Sequence, residues 1–103
     1  MNLKIVSTCI DDESKAEEIM KLLLEEKLAA CINWWPVNSR FVWKGEIERG
    51  KEITLWIKTN EDSVEKVVEK IKSLHSYDLP VIEVFDVEQI NEEAKEWLKE
   101  SLK

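Results

Sequence analysis

The apolar residues of this chain change period as the sequence runs, and the order of those changes leaves few folds open. Residues 3–10 form a β-branched, apolar stretch that reads as a strand. A helical period follows, with Ala16, Ile19, Met20 and Leu23 on one face and Glu17, Glu18 and Lys21 elsewhere. From Leu28 that period is lost. Residues 29–35 are nearly all apolar, which predicts a largely buried strand. Residues 40–44 resume extended structure, and Ile53, Leu55 and Ile57 alternate with Thr54, Trp56 and Lys58. Val64, Val67, Val68, Ile71 and Leu74 make a second helical stripe. Residues 81–87 read as a fourth strand, and Ala94, Trp97, Leu98 and Leu102 as one face of a last helix. Two strand–helix–strand units joined by a hairpin are the split arrangement of the ferredoxin-like sandwich. Right-handed crossovers place both helices on one face of a four-stranded antiparallel sheet. The expected class is therefore α+β, with an extra C-terminal helix. A length of 103 residues fits a single domain spanning 1–103.

Local punctuation supports that order. Ser14, followed three residues later by Glu17, fits a capping box for the first helix. Asp11, Asp12 and Glu13 suit the positive end of its dipole. They are also oxygen ligands of the kind Mg²⁺ or Ca²⁺ takes, although capping explains them more simply. Asn91 is the expected N-cap of the last helix. Pro36 has no N–H to give a ladder and marks a bend, bulge or edge. Gly45 to Gly50 reads as the turn of the central hairpin.

That hairpin carries too much aromatic surface. Trp34, Trp35, Phe41, Trp43 and Trp56 crowd it. A four-stranded sheet with helices on one side cannot hide five large rings on both faces. An exposed apolar patch of that size marks an interface, and unpaired strand edges must be covered. Self-assembly through the hairpin is expected.

Charge and cysteine usage exclude several roles. The chain has 22 acidic residues against 15 basic ones and a net charge of −7. That balance disfavours a nucleic-acid backbone and an anionic membrane surface as partners. No apolar run approaches the ~20 residues of a membrane span. An acidic run arrives at Asp11 before a signal-peptide pattern develops, so the two cysteines are expected to be free thiols in a cytoplasmic protein. Charges that are mostly Glu and Lys, with two Arg, match the bias of hyperthermophile proteins and predict a thermostable one.

Five segments, in order, resemble the CutA family of divalent-cation tolerance proteins. They are residues 26–33 (EKLAACIN), 42–47 (VWKGEI), 57–59 (IKT), 75–80 (HSYDLP) and Trp97-Leu98. The resemblance implies a ferredoxin-like protomer in a tight homotrimer and a role in tolerance to metals such as copper. It also implies a copper site made of a Cys near the end of the first strand and two adjacent His after the second helix. Those positions are Ser7, Leu74 and His75 here, so only His75 carries over. Cys9, two residues beyond Ser7, lies on the same strand face and is the candidate substitute.

The remaining chemistry is sparse. His75 is the one imidazole, a fitting ligand for Cu²⁺ or Zn²⁺, and a thiolate suits Cu⁺. His75 and Cys9 are thus the candidate metal ligands, set against a loop His that bonds backbone near Tyr77. Cys31 reads as a core thiol. Trp43, Lys58 and Tyr77 are the candidates for lining a ligand pocket at a subunit junction. Neither a phosphate loop nor a nucleophile–base motif occurs, so the expectation is a non-enzymatic protein that requires no cofactor. The alternative is a PII-like trimeric sensor that binds a small anion or nucleotide between subunits. It requires a long flexible loop between the middle strands.

Overall fold

A computed structural model describes residues 2–103. In chain order the elements are β1 (Leu3–Ile10), α1 (Glu13–Glu25), β2 (Cys31–Trp43), β3 (Glu46–Asn60), a 3-10 turn (Glu61–Ser63), α2 (Val64–Leu74), β4 (Ile82–Asp86) and α3 (Glu92–Ser101). The sheet order is β2-β3-β1-β4, with every pair antiparallel. This is the expected α+β ferredoxin-like sandwich with one added C-terminal helix.

The apolar periods explain the layering. Val6 and Ile10 of β1, Ile32 of β2, and Leu55 and Ile57 of β3 share one sheet face. They pack against Ala16, Ile19, Met20 and Leu23 of α1 and Val67 and Ile71 of α2, all buried. Each such aliphatic side chain contributes about 1.5–3 kcal/mol on leaving water. The other face of the sheet has no cover from α1 or α2. It carries Leu3, Ile5, Ser7 and Cys9 of β1, Thr54, Trp56 and Lys58 of β3, and Trp35 of β2.

Several local readings need correction. Asp12, not Ser14, caps α1: its Oδ1 accepts from the Lys15 N–H at 3.0 Å. The chain stays extended through Asp12 and turns helical at Glu13, so Ser14 already lies inside the first turn. The end of α1 is a Schellman motif built on a lysine. Lys27 has φ 57°, its N–H bonds the Leu24 carbonyl (3.1 Å), and the Leu28 N–H bonds that of Leu23 (2.9 Å). Asn91 holds the N-cap position of α3, but its side chain makes no capping hydrogen bond. Its amide instead faces Glu93 Oε2 at 3.4 Å.

The central hairpin turns in two residues, not six. Lys44 and Gly45 have φ 50° and 80°, the paired positive values of a type I′ turn, whose twist matches that of the flanking strands. Gly50 lies inside β3 opposite Ser39. Residues 29–35 are not largely buried either. Ile32 is covered, but Trp34 and Trp35 are 56% and 41% exposed. The reason is that β2 is an edge strand that soon runs beyond the helices. The same edge position accommodates Pro36, whose partner is Ile53.

Candidate functional site

Two parts of the molecule carry unspent chemistry. The first is the far half of the β2–β3 hairpin. β1 pairs with β3 only between Ile53 and Asn60, whereas β2 and β3 stay paired out to Trp43 and Glu46. From Val37 and Glu52 outward, the two strands form a ribbon with no third strand. A two-stranded ribbon in water is marginally stable at best. Val42 and Ile47 face each other near its tip and are 72% and 79% exposed. Phe41 and Trp43 are exposed as well. The longest dimension of the molecule is 45 Å, and its accessible surface is 7118 Å². A compact monomer of this mass exposes roughly 6,000 Å². The uncovered sheet face continues the same theme: Trp35 and Trp56 rings lie 6.3 Å apart, and Trp56 and Phe85 rings 5.4 Å apart.

The second part lies where β1 ends, at the root of the ribbon. His75 ends α2, and its ring has protein partners at both nitrogens. Nδ1 accepts from the Tyr77 N–H at 3.0 Å. Nε2 therefore carries the proton and donates to the Cys9 carbonyl at 2.9 Å, with Thr8 Oγ1 at 3.3 Å. The Thr8 hydroxyl itself donates to the Val81 carbonyl at 2.8 Å. Burial holds the imidazole pKa below its usual 6.5, against the raising effect of the Cys9 carbonyl, Asp11 and Glu52. The Tyr77 ring lies beside that of His75, tilted by 49° with centroids 4.8 Å apart, and its hydroxyl donates to Glu52 Oε2 at 2.5 Å. Burial first, and then the Glu52 carboxylate, push the phenol well above its ordinary value.

The proposed ligands do not converge. The imidazole touches the carbonyl of Cys9, while the Cys9 thiol lies 3.3 Å from Thr54 Oγ1. Ser7 is buried, and Leu74 packs against the core. Among the described residues no group of three or more His, Cys, Asp or Glu is placed to hold a metal ion. These residues do not fit a resident metal centre, because the one imidazole has no free nitrogen lone pair. Trp43, Lys58 and Tyr77 do not meet within one chain. Trp43 is at the ribbon tip opposite Glu46, Lys58 is at the other end of β3, and Tyr77 is at the ribbon root. Glu46 and Lys58 are roughly 40 Å apart along β3 at ~3.3 Å per residue. Lys58 instead borders a cavity of about 150 Å³ with Ile5, Thr59 and Trp97. Cys31 is only partly buried, opposite Lys58 on the uncovered face.

Glu52 is the residue that sequence reasoning missed. From the sequence, Glu46, Glu48 and Glu52 flank the hairpin turn and read as solvated turn carboxylates, yet Glu52 sits within β3 one residue outside the last β1 pair. Its alternation with Thr54 and Trp56 gives its face, but nothing in the sequence names Tyr77 as its partner.

The family model for CutA1 divalent ion tolerance protein matches residues 4–101. The chain belongs to the CutA1 family. A Pyrococcus horikoshii relative described as divalent-cation tolerance protein CutA is 42% identical over 96% of this chain and 97% of its own length. A Thermotoga maritima protein of the same description is 38% identical over 95% and 97%. Among solved structures, the periplasmic divalent cation tolerance protein CutA of Archaeoglobus fulgidus superposes with TM-score 0.94 at 34% identity, covering 98% of this chain and 99% of that one. The two-residue Lys44-Gly45 turn leaves no place between β2 and β3 for the long mobile loop of a PII-like sensor.

Proposed function

We propose that this CutA1 protein is a non-enzymatic homotrimer that serves divalent-cation tolerance and binds metal weakly, without a resident ion. The single observation that carries the reading is the uncovered ribbon and aromatic face, which one chain cannot shield and further copies can. Relatives across most of the chain bear the description divalent-cation tolerance protein, and that supports the role. Cu²⁺ is the cation we favour, with His75 and Cys9 as its contacts. Either nitrogen of His75 must give up a protein hydrogen bond to ligate it, which makes the affinity low. A ligand pocket containing Trp43, Lys58 and Tyr77 is part of this proposal only between subunits. Thermal stability and a cytoplasmic location complete it. Cell fractionation distinguishes that location from the periplasmic one in the description of the A. fulgidus protein.

Calorimetric titration with Cu²⁺ tests the metal reading, on the parent, His75→Ala and Cys9→Ser at pH 7.5 and 5.5. The expectation is weak binding at pH 7.5 that declines at pH 5.5 and is lost in His75→Ala. Equal binding by the parent and His75→Ala at both values assigns that imidazole a purely structural role. Loss in Cys9→Ser alone makes the thiol the ligand.

A further inference from the structure

α3 packs on the sheet face that α1 and α2 leave uncovered. Leu3 and Leu98 are buried there, yet neither belongs to the core that those two helices share. The packing is incomplete. Between α3 and the sheet lies an apolar cavity of about 150 Å³, walled by Leu3, Ile5, Ile90, Trp97 and Leu98. An apolar cavity of roughly that volume holds a benzene-sized molecule. Three polar residues also border it, and two of them are spent elsewhere. Lys4 pairs with Asp86, and the Thr59 hydroxyl donates to the Leu28 carbonyl at 2.6 Å. The third is Lys58, which stands directly opposite Ile5 in register and therefore shares its sheet face. Its neighbour across the sheet on the other side is Cys31, which supplies no carboxylate. Among the described residues the ion pairs are Lys4–Asp86, Lys21–Glu25 and Lys70–Glu26, and none involves Lys58. Lys58 is half-buried. An ammonium that leaves water gains from an anion beside it.

We propose that the cavity under α3 binds a small carboxylate whose apolar body is about the size of a benzene ring. The body fills the space between Ile5 and Trp97, and the carboxylate accepts from the Lys58 ammonium. Ligand sites generally join an apolar lining to a few polar groups that fix orientation, and this cavity has that composition. Its volume limits the body to a single ring, and one ammonium matches one negative charge. The site is complete within one chain. It shares Lys58 with the pocket proposed between subunits but needs neither Trp43 nor Tyr77.

The test is calorimetric titration of the full-length protein with three probes. They are sodium benzoate, benzyl alcohol (the ring without the charge) and sodium acetate (the charge without the ring). Benzoate should saturate at one molecule per chain, with the other two each at least about tenfold weaker. Lys58→Met keeps an apolar stem and should weaken benzoate about tenfold, to the level of benzyl alcohol, while leaving benzyl alcohol unchanged. Lys66→Met, the same change at an exposed position of α2, should leave both within about twofold of the parent. Ala94→Phe, which adds a ring to the cavity wall, should abolish binding of both. Should that variant fail to fold by circular dichroism, the Lys58→Met comparison decides alone. If benzoate and benzyl alcohol bind equally, or if Lys58→Met binds benzoate like the parent, the cavity is not a carboxylate site. Absence of saturable benzoate binding up to about 10 mM overturns the proposal outright. So does benzoate binding that survives in a folded Ala94→Phe, which would place the ligand elsewhere, the pocket between subunits included.

Discussion

The two halves of the β2–β3 hairpin belong to the same strands and have opposite fates. At the root, Leu55 and Ile57 are fully covered by α1 and α2, and β1 closes the second edge of β3. At the tip, Val42 and Ile47 keep most of their surface in water, and β1, which pairs with β3 only from Ile53 to Asn60, does not reach them. Both halves have strand period and apolar residues, so the difference is one of supply. A chain this short provides two crossover helices, and they cover only the length of sheet that β1 spans. The root is where the protomer gains its stability. The ribbon is held by its register, its I′ turn and whatever second chain it meets.

That contrast is open to mutation. Leu55→Ala at the root should cost about 2–5 kcal/mol in chemical denaturation, as cavity-forming truncations do. Ile47→Ala at the tip should cost an isolated protomer less than about 0.5 kcal/mol, as exposed substitutions do. Equal costs in a dilute, dissociated sample would show that the ribbon is folded into the protomer core after all.

Tyr77 and Glu52 sit at the boundary between the halves. Tyr77→Phe keeps the ring beside His75 but removes the hydroxyl that donates to Glu52. The expected loss is about 1 kcal/mol, because water replaces part of the bond to a half-exposed carboxylate. Hydrogen exchange should quicken in residues 46–52 and stay unchanged in residues 53–60. Uniform acceleration along β3 would mean that the pair does not act on the ribbon root.

His75 adds a pH dependence of known sign. Its folded pKa lies below the ordinary 6.5, so the unfolded chain takes up the proton first as pH falls. The stabilisation is whole above about pH 6.5 and is lost as pH drops through the folded value. A protonated ring also turns Nδ1 into a donor, which cannot accept from the Tyr77 N–H. The denaturation midpoint at fixed protein concentration should decline from pH 7.5 to 5.5, and His75→Asn should flatten that decline. A decline of the same size in the variant would assign it to the carboxylates instead.

Periodicity made most of the fold legible, because helix and strand faces are set by residues a few positions apart. The misses have local physical causes. Two good capping residues, Asp12 and Ser14, lie within one turn, and the backbone bend selected the first. Gly45 and Gly50 are both turn residues by type, but only Gly45 has a positive φ. The apolar run at 29–35 reads as buried since sequence records hydrophobicity and not the reach of the helices. The environment of His75 was legible only in outline. Its two decisive bonds join it to Tyr77, two residues away, and to Cys9, 66 residues away. The second depends on how α2 docks over β1, which no local pattern encodes.

The central claim is that the ribbon and the aromatic face are completed by further copies of the same chain. Native mass spectrometry of the full-length protein at low micromolar concentration tests it most directly. The account predicts a species of three times 12.1 kDa as the dominant form, and its loss in Trp43→Asp, where a charge would be buried without a partner. A persistent 12.1 kDa monomer that is stable and does not aggregate would contradict it.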